Sequence, residues 1–122
     1  MINLDKFPWL TWLMRNSPDI RWACSTVIDL YQTRRRVSGR LVIEHCFETA
    51  ENTSLFTVSP VYLTAAMFHD VIEDFGLNFK ELKFILGPGR EYIASLVNIL
   101  SKRPDLQGSE RTAEYLNRIS TA

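Results

Sequence analysis

Apolar residues recur at intervals of three and four along most of this chain, in segments that begin at helix-capping signals. Ser17-Pro18 and Ser59-Pro60 each place a capping hydroxyl before a proline, which needs no N–H partner in the first turn of a helix. Asn78 is followed three residues later by Glu81, the spacing of a capping box. Alternation of apolar and polar residues, which would indicate strands, is absent. The pattern predicts an all-α protein of about six or seven helices.

The ends of the predicted helices follow from the apolar spacing and from helix-breaking residues. Glycine commonly terminates a helix, and proline cannot continue one. Gly76 and Pro104 are therefore predicted to end two of the helices. In chain order, helices are predicted over 20–34, from 43 to about 51, over 60–74, in a short segment after Asn78, over 92–100, and from Ser109 to the end of the chain.

Composition narrows the class of protein. The 122 residues are 46% hydrophobic, which suits a single domain, and the 14 basic residues equal the 14 acidic ones. Nucleic-acid binders usually carry a basic surplus, so this class is disfavoured. No apolar run reaches the length of about 18 residues that a membrane span needs. Cys24 and Cys46 are far apart in apolar segments, which indicates buried, reduced thiols in a cytoplasmic protein.

The N-terminal segment contains a set of large apolar side chains at helical spacing. Trp9, Trp12 and Leu13 are predicted to join the core of the protein. The alternative is that they form a partner surface, because a large exposed apolar patch commonly marks an interaction site. On this second interpretation, the protein forms a homo-oligomer through exposed apolar surface.

The stretch FHDVIEDFG, residues 68–76, places one histidine and three carboxylates at the end of a predicted helix. Acidic side chains are unfavourable there, because a helix C-terminus carries partial negative charge. His69 and Asp70 could together bind a divalent ion that supplies the missing positive charge. Imidazole with carboxylate favours Mn²⁺, Fe²⁺ or Zn²⁺ over Ca²⁺. The alternative is a solvated helix end without an ion.

The other histidine, His45, could complete such a site. It lies early in the preceding predicted helix, and two antiparallel neighbouring helices would bring it to His69 and Asp70. Glu73 and Asp74 lie one turn further along, where they would reach water at the metal rather than the metal itself. A lone histidine is more commonly a hydrogen-bonded or surface group, so His45 is informative only together with the other residues.

Three segments of the chain resemble one enzyme family. RRRVSGRLVIEH, LTAAMFHDVIEDFGLNFKEL and GREYIASLVNILSKRP are similar to the HD-domain hydrolases of the RelA/SpoT type, over about residues 25 to 120. The resemblance implies an HD-domain-like helical bundle, formed as one domain over residues 1–122. It also implies removal of pyrophosphate from the 3′ position of guanosine tetra- and pentaphosphate, (p)ppGpp.

The resemblance assigns roles to individual residues of this chain. His45, His69 and Asp70 match metal ligands of the family, whose usual ion is manganese. Glu73 and Asp74 match the catalytic pair that positions and deprotonates the attacking water. Arg36 matches a substrate-binding arginine that lines the nucleotide site. The implied partner is a guanosine polyphosphate. The composition, rather than the resemblance, disfavours a membrane or a nucleic acid as partner.

This chain departs from the family pattern at several positions. Val37 stands where the family has lysine, Leu41-Val42 where it has Pro-Tyr, and Cys46 where it has proline. The family's last metal ligand is an aspartate on a helix after the segment matched by TAEYLNRIS, and the final aspartate here is Asp105. We therefore expect an HD domain shortened at its C-terminus, with three protein ligands.

Two alternatives to a shortened HD-domain enzyme remain open. One is a non-catalytic HD-fold binding or interaction module that has lost full metal coordination. The other is that residues beyond Ala122 in a longer protein supply the missing aspartate.

Overall fold

Eight α-helices account for most of the computed structural model, which describes residues 3–32, 34–106 and 108–121. They are α1 (Pro8–Asn16), α2 (Pro18–Tyr31), α3 (Val42–Ser54), α4 (Pro60–Met67), α5 (Val71–Phe75), α6 (Phe79–Leu86), α7 (Glu91–Ser101) and α8 (Ser109–Ser120). Single 3₁₀ turns lie at Leu4–Lys6 and Pro104–Leu106. The described residues contain no strand, only an isolated bridge between Arg35 and Leu41. The predicted all-α class is confirmed.

The helix starts depend on the predicted capping residues to different degrees. The Ser17 hydroxyl accepts a hydrogen bond from the Ile20 N–H at 3.3 Å. At α6, Asn78 and Glu81 each accept a bond from the other's backbone N–H, at 2.8 and 3.0 Å, which confirms the capping box. Gly108, rather than the predicted Ser109, precedes α8 as its N-cap.

Helix α4 lies at the centre of the core and packs against α2, α3, α7 and α8. Its five residues 63–67 are all buried. Such a helix is apolar on every side because it is surrounded by other helices. Helix α3 packs along it and against α1 and α8, so that one end of α3 lies beside the C-terminal end of α4. His45 lies on α3, and His69 and Asp70 follow the C-terminal end of α4.

The segment 60–74, predicted as one helix, consists of two helices separated by a turn at 68–70. The His69 ring nitrogen Nδ1 lies 2.7 Å from the carbonyl oxygen of Ala66, which can only accept a hydrogen bond. In an uninterrupted helix, that carbonyl would accept the N–H of Asp70 instead. The imidazole thus replaces a backbone donor, and the chain turns before α5 begins. This break brings the number of helices to eight.

The prediction that the two tryptophans belong to the core is wrong. Trp9 is 59% exposed and Trp12 is 56% exposed, whereas Leu13 is buried as predicted. The buried face of α1 is formed by Leu10 and Leu13. Because successive helical residues are about 100° apart, the positions that precede these leucines face away from the core. The expected homo-oligomer through exposed apolar surface stays a prediction.

Cys24 and Cys46 are both unpaired and buried, as predicted. Burial raises the pKa of the Cys24 thiol to about 12 and raises that of Cys46 further. Thiols with raised pKa values are poor nucleophiles, so both cysteines act as core residues. Among the described residues, no helix combines the length and the apolar character that a membrane crossing requires.

The C-terminal end of α2 falls short of the predicted end at residue 34. Helix α2 ends at Tyr31, and Gln32 adopts a positive φ of 48° that stops helical propagation. Thr33 and Ala122, which the sequence places in predicted helices, lie outside the described residues. The chain then forms a short hairpin, in which the Arg36 N–H donates to the Arg40 carbonyl at 2.8 Å, and continues into α3.

Candidate metal centre

The two histidines and Asp70 converge at one point of the bundle. His45 projects from the second turn of α3, and His69 and Asp70 lie in the turn between α4 and α5. The Nε2 atoms of the two imidazoles are 3.1 Å apart. The Asp70 Oδ2 atom lies 3.3 Å from the His45 Nε2 and 3.0 Å from the His69 Nε2. These three residues are hereafter called the triad. The predicted encounter of His45 with the other two is confirmed.

The dimensions of the triad fit a transition-metal site. Ligands at about 2.1–2.2 Å from an octahedral ion lie about 3.0–3.1 Å from one another, and tetrahedral ligands lie somewhat further apart. The three distances between the triad's ligand atoms, 3.0, 3.1 and 3.3 Å, fall in this range. The group is one that could hold a metal ion. Two imidazoles with one carboxylate favour Mn²⁺, Fe²⁺ or Zn²⁺.

Hydrogen bonding fixes which atom of His69 is available as a ligand. Because Nδ1 donates its proton to the Ala66 carbonyl at 2.7 Å, the Nε2 atom of a neutral ring carries a lone pair. That lone pair faces the Asp70 carboxylate, which also offers only lone pairs. A proton or a cation must therefore lie between them. Metal-binding histidines usually have such a carbonyl partner, which orients the ring.

Asp70 is held in its charged form. Burial of its carboxyl group raises the pKa, and hydrogen bonds that it accepts from protonated Nε2 atoms of His45 and His69 lower it by more, so that with those protons in place the pKa lies well below its ordinary value. The carboxylate is accordingly anionic at neutral pH, which is the state that ligates metal ions.

A cavity of about 180 Å³ opens over the triad. Its remaining walls are Arg36, Glu73, Leu100, Arg103, Leu106, Gly108 and Thr112. Arg36 comes from the hairpin before α3, and the last five of these residues come from the end of α7 to the start of α8. Two predicted residues, Arg36 and Glu73, thus share the cavity with the triad, and their roles stay predictions.

Asp74 has a different environment from Glu73. Its Oδ2 atom accepts a hydrogen bond from the Tyr31 hydroxyl at 2.6 Å, and it does not line the cavity. Burial and, after it, nearby ionisable groups including Asp74 raise the pKa of Tyr31 far above its ordinary value. The hydroxyl therefore remains protonated and able to donate. The catalytic role of Asp74 stays a prediction, and Tyr31 is the residue that would orient it.

Replacing Tyr31 by phenylalanine tests this arrangement. We expect the unfolding free energy to fall by about 1 kcal/mol, the usual contribution of one hydrogen bond. If Asp74 acts in the reaction, kcat should fall by roughly threefold to tenfold, with metal affinity unchanged, because the ring still packs on Phe75 at 5.0 Å. Urea unfolding, steady-state kinetics and metal titration measure these quantities.

The matched control is Tyr92→Phe, which removes a hydroxyl from a tyrosine that is 57% exposed. An unchanged kcat in Tyr31→Phe, with the expected loss of stability, would assign Tyr31 to folding alone.

Asp105 does not reach the triad. Both its carboxylate oxygens accept bonds from the Arg103 guanidinium, Oδ1 from Nε at 2.9 Å and Oδ2 from Nη2 at 2.7 Å. Among the described residues, the only group of three metal-capable side chains at ligand distance is the triad. Sequence reasoning did not identify Arg103, Gly108 or Thr112 as cavity residues. No spacing signal marks them, because they reach the cavity only through the packing of α7 and α8.

Comparisons with protein-family models, with curated proteins and with solved structures find no match to this chain.

Proposed function

We propose that this protein is a metal-dependent phosphohydrolase that cleaves a nucleotide phosphoester, with (p)ppGpp as substrate. Water attacks the phosphorus atom bound to the 3′-oxygen, the P–O3′ bond breaks with the 3′-oxygen as the leaving group, and pyrophosphate is released. One observation carries the proposal: three ligand atoms, two of imidazole and one of carboxylate, meet at 3.0–3.3 Å in a cavity that also contains an arginine. The cytoplasm, predicted from the isolated cysteines, is the proposed location.

The residues around the cavity divide into three roles. The triad holds a divalent ion, for which Mn²⁺ is the proposed species. Such an ion lowers the pKa of water and offsets charge on phosphoryl oxygens. Glu73 lines the same cavity and accepts a proton at its carboxylate, helped by Asp74 on the same short helix. Arg36 binds phosphate through its guanidinium group.

The size of the cavity indicates which part of a nucleotide enters it. Pockets that enclose a drug-sized ligand usually measure at least about 300 Å³. The cavity over the triad, about 180 Å³, is smaller. The phosphate end of the substrate therefore enters the cavity, and the nucleoside lies outside it.

The departures from the family pattern lie mainly away from the cavity. Leu41 and Cys46 are buried in the core at 6% and 1% exposure. Val37 is fully exposed in the hairpin, where it lines no wall of the cavity. These substitutions alter core packing and one surface position, and they leave Arg36 and the triad in one cavity.

A non-catalytic metal-binding or interaction module is the second candidate. Within the described ranges, the triad contributes three ligands, and Asp105 is engaged by Arg103 rather than by the site. This observation favours a module that binds a metal or a nucleotide without turnover.

The decisive experiment measures metal content and pyrophosphate release together. We expect the full chain to bind one Mn²⁺ and to release pyrophosphate from ppGpp. Chelation should slow release by at least about a thousandfold, since a bound ion contributes several kcal/mol to transition-state stabilisation. Readdition of Mn²⁺ should restore it.

ATP under the same conditions tests the substrate class. Metal binding without turnover of either nucleotide would favour the non-catalytic module. The absence of both metal binding and turnover would overturn the proposed function.

A further inference from the structure

Arg103 is a cavity residue from the C-terminal part of the chain, after all the residues to which the resemblance assigns a role. It lies two residues after the end of α7 and lines the cavity together with the triad and Arg36. Its side chain is 45% exposed, so a ligand in the cavity can reach the guanidinium. None of the proposed steps uses this arginine.

The guanidinium of Arg103 is occupied by a carboxylate of its own loop. Asp105 accepts two parallel bonds, at 2.9 and 2.7 Å, from Nε and Nη2. This paired geometry is also the one by which arginine binds phosphate. An exposed ion pair of this kind contributes little net energy, because water competes for both partners. A phosphate group can therefore displace the carboxylate at small cost.

The loop that carries Arg103 is anchored at several points. Leu106 is buried, and its N–H donates to the Arg103 carbonyl at 2.9 Å. The Thr112 hydroxyl donates to the Leu106 carbonyl at 2.9 Å, and Arg111 donates to the Asp105 carbonyl at 3.2 Å. The backbone of Arg103 is thus fixed from α8, and the exchange of partners requires only side-chain movement.

The charges in the cavity favour an anionic ligand. Two arginines, Arg36 and Arg103, and two acidic residues, Asp70 and Glu73, line the cavity. A divalent cation on the triad would make the cavity net positive. The N-terminal end of the twelve-residue helix α8 also lies at the cavity wall, where Gly108 precedes the helix and no side chain caps it. The helix dipole adds positive potential at that end.

We infer that Arg103 is a second phosphate-binding residue of the cavity and that Asp105 occupies its guanidinium until an anionic ligand displaces it. The ligand class is a compound with two linked phosphate groups, one at Arg36 and the metal, the other at Arg103. The inference rests on the proposed function in placing the substrate in this cavity, and it adds a residue that determines affinity.

The test is the binding of inorganic pyrophosphate to the full chain, measured by calorimetry with Mn²⁺ present. Arg103→Gln should weaken binding about tenfold, the usual effect of losing a charged hydrogen-bond donor. Asp105→Asn should tighten binding about twofold to fivefold, because it removes the competing carboxylate. The double variant should bind like Arg103→Gln, because Asp105 acts only through Arg103. Arg103→Lys should recover part of the loss.

Matched controls remove the same charges elsewhere. Arg118→Gln is the control for Arg103→Gln, because both guanidinium carbons lie 5.6 Å from the Tyr115 ring centroid and Arg118 does not line the cavity. Asp29→Asn, on the exposed face of α2, is the control for Asp105→Asn. Neither control should change pyrophosphate affinity by more than about twofold.

Failure of the inference is distinguishable from failure of the proposed function. Equal pyrophosphate affinity in wild type and Arg103→Gln, or no pyrophosphate binding at all, would overturn the role of Arg103 whether or not ppGpp is hydrolysed. The expected pattern of affinities without any turnover would support the phosphate site and reject the enzyme. A gain in affinity in Asp105→Asn that persists in the double variant would overturn the competition by Asp105.

Discussion

Replacing His69 by alanine is expected to abolish metal binding and to slow hydrolysis of ppGpp by at least about a thousandfold. The substitution removes the Nε2 atom that lies 3.0 Å from Asp70 and 3.1 Å from His45. The two ligand atoms that remain cannot hold a divalent ion in the geometry of the triad. A bound ion contributes several kcal/mol to transition-state stabilisation, and each 1.36 kcal/mol is a factor of about ten in rate.

The fold should survive this substitution. His69 also donates to the Ala66 carbonyl, and loss of that bond should lower the unfolding free energy by about 1–2 kcal/mol. The helical content of the variant, measured by far-ultraviolet circular dichroism, should therefore match that of the wild type. Metal content after dialysis and pyrophosphate release measure the two expected losses. If His69→Ala loses helicity together with activity, the loss of activity could come from unfolding. The metal-binding role is then tested by Asp70→Asn.

Asp70→Asn changes one ligand without changing the shape of the side chain. It removes the negative charge and leaves a weaker oxygen ligand, so we expect a similar loss of metal and of activity. Asp29→Asn, which lies on α2 and outside the cavity, is the matched control and should behave as the wild type. Full turnover by His69→Ala or Asp70→Asn, with Mn²⁺ supplied and contaminating hydrolase excluded, would contradict the metal-binding role.

Most of the helical framework could be predicted because its signals are local. The capping box at Asn78 and the Ser17 cap depend on residues three positions apart, so sequence spacing alone reveals them. The turn between α4 and α5 could not be predicted in the same way. It depends on an imidazole that bonds to a backbone carbonyl, and residue spacing does not reveal that side-chain contact.

The residues of the site also fall into two groups, those that could be predicted from the sequence and those that could not. His45 and His69 are 24 residues apart, a separation that fits two neighbouring antiparallel helices, so their encounter could be predicted. The contribution of Arg103 and the orientation of Asp74 by Tyr31 could not, because both depend on which helices lie side by side. The prediction for Trp9 and Trp12 failed for a related reason. Their spacing with Leu13 fits one face of a helix, and tertiary packing buries the face of Leu10 and Leu13 instead.

The turn that carries His69 and Asp70 depends on the fully buried side chain that precedes it. Phe68 is 0% exposed and stacks on Trp22, with ring centroids 6.2 Å apart and planes 8° from parallel. The Arg90 guanidinium lies 3.6 Å from the centre of the Trp22 ring. Because Phe68 adjoins His69 in the chain, packing around this ring fixes the backbone from which the imidazole projects.

Replacing Phe68 by alanine is therefore expected to be strongly destabilising. Removal of a buried phenylalanine ring costs about 3–5 kcal/mol, through lost apolar burial and the cavity that remains. For a chain of this size, the thermal midpoint should fall by roughly 10–20 °C. Phe84→Ala is the matched control, because Phe84 is 88% exposed and its truncation should change the unfolding free energy by no more than about 0.5 kcal/mol.

The same variant also tests whether the core positions the metal site. Mn²⁺ that binds only the folded state raises the thermal midpoint by an amount that grows with its affinity. In Phe68→Ala this increase should be smaller than in the wild type or Phe84→Ala, because a less fixed turn presents His69 and Asp70 in the ligating geometry for less of the time. Thermal unfolding with and without Mn²⁺ measures the difference. An equal increase in Phe68→Ala, at its lower midpoint, would show that the turn keeps its shape without the ring.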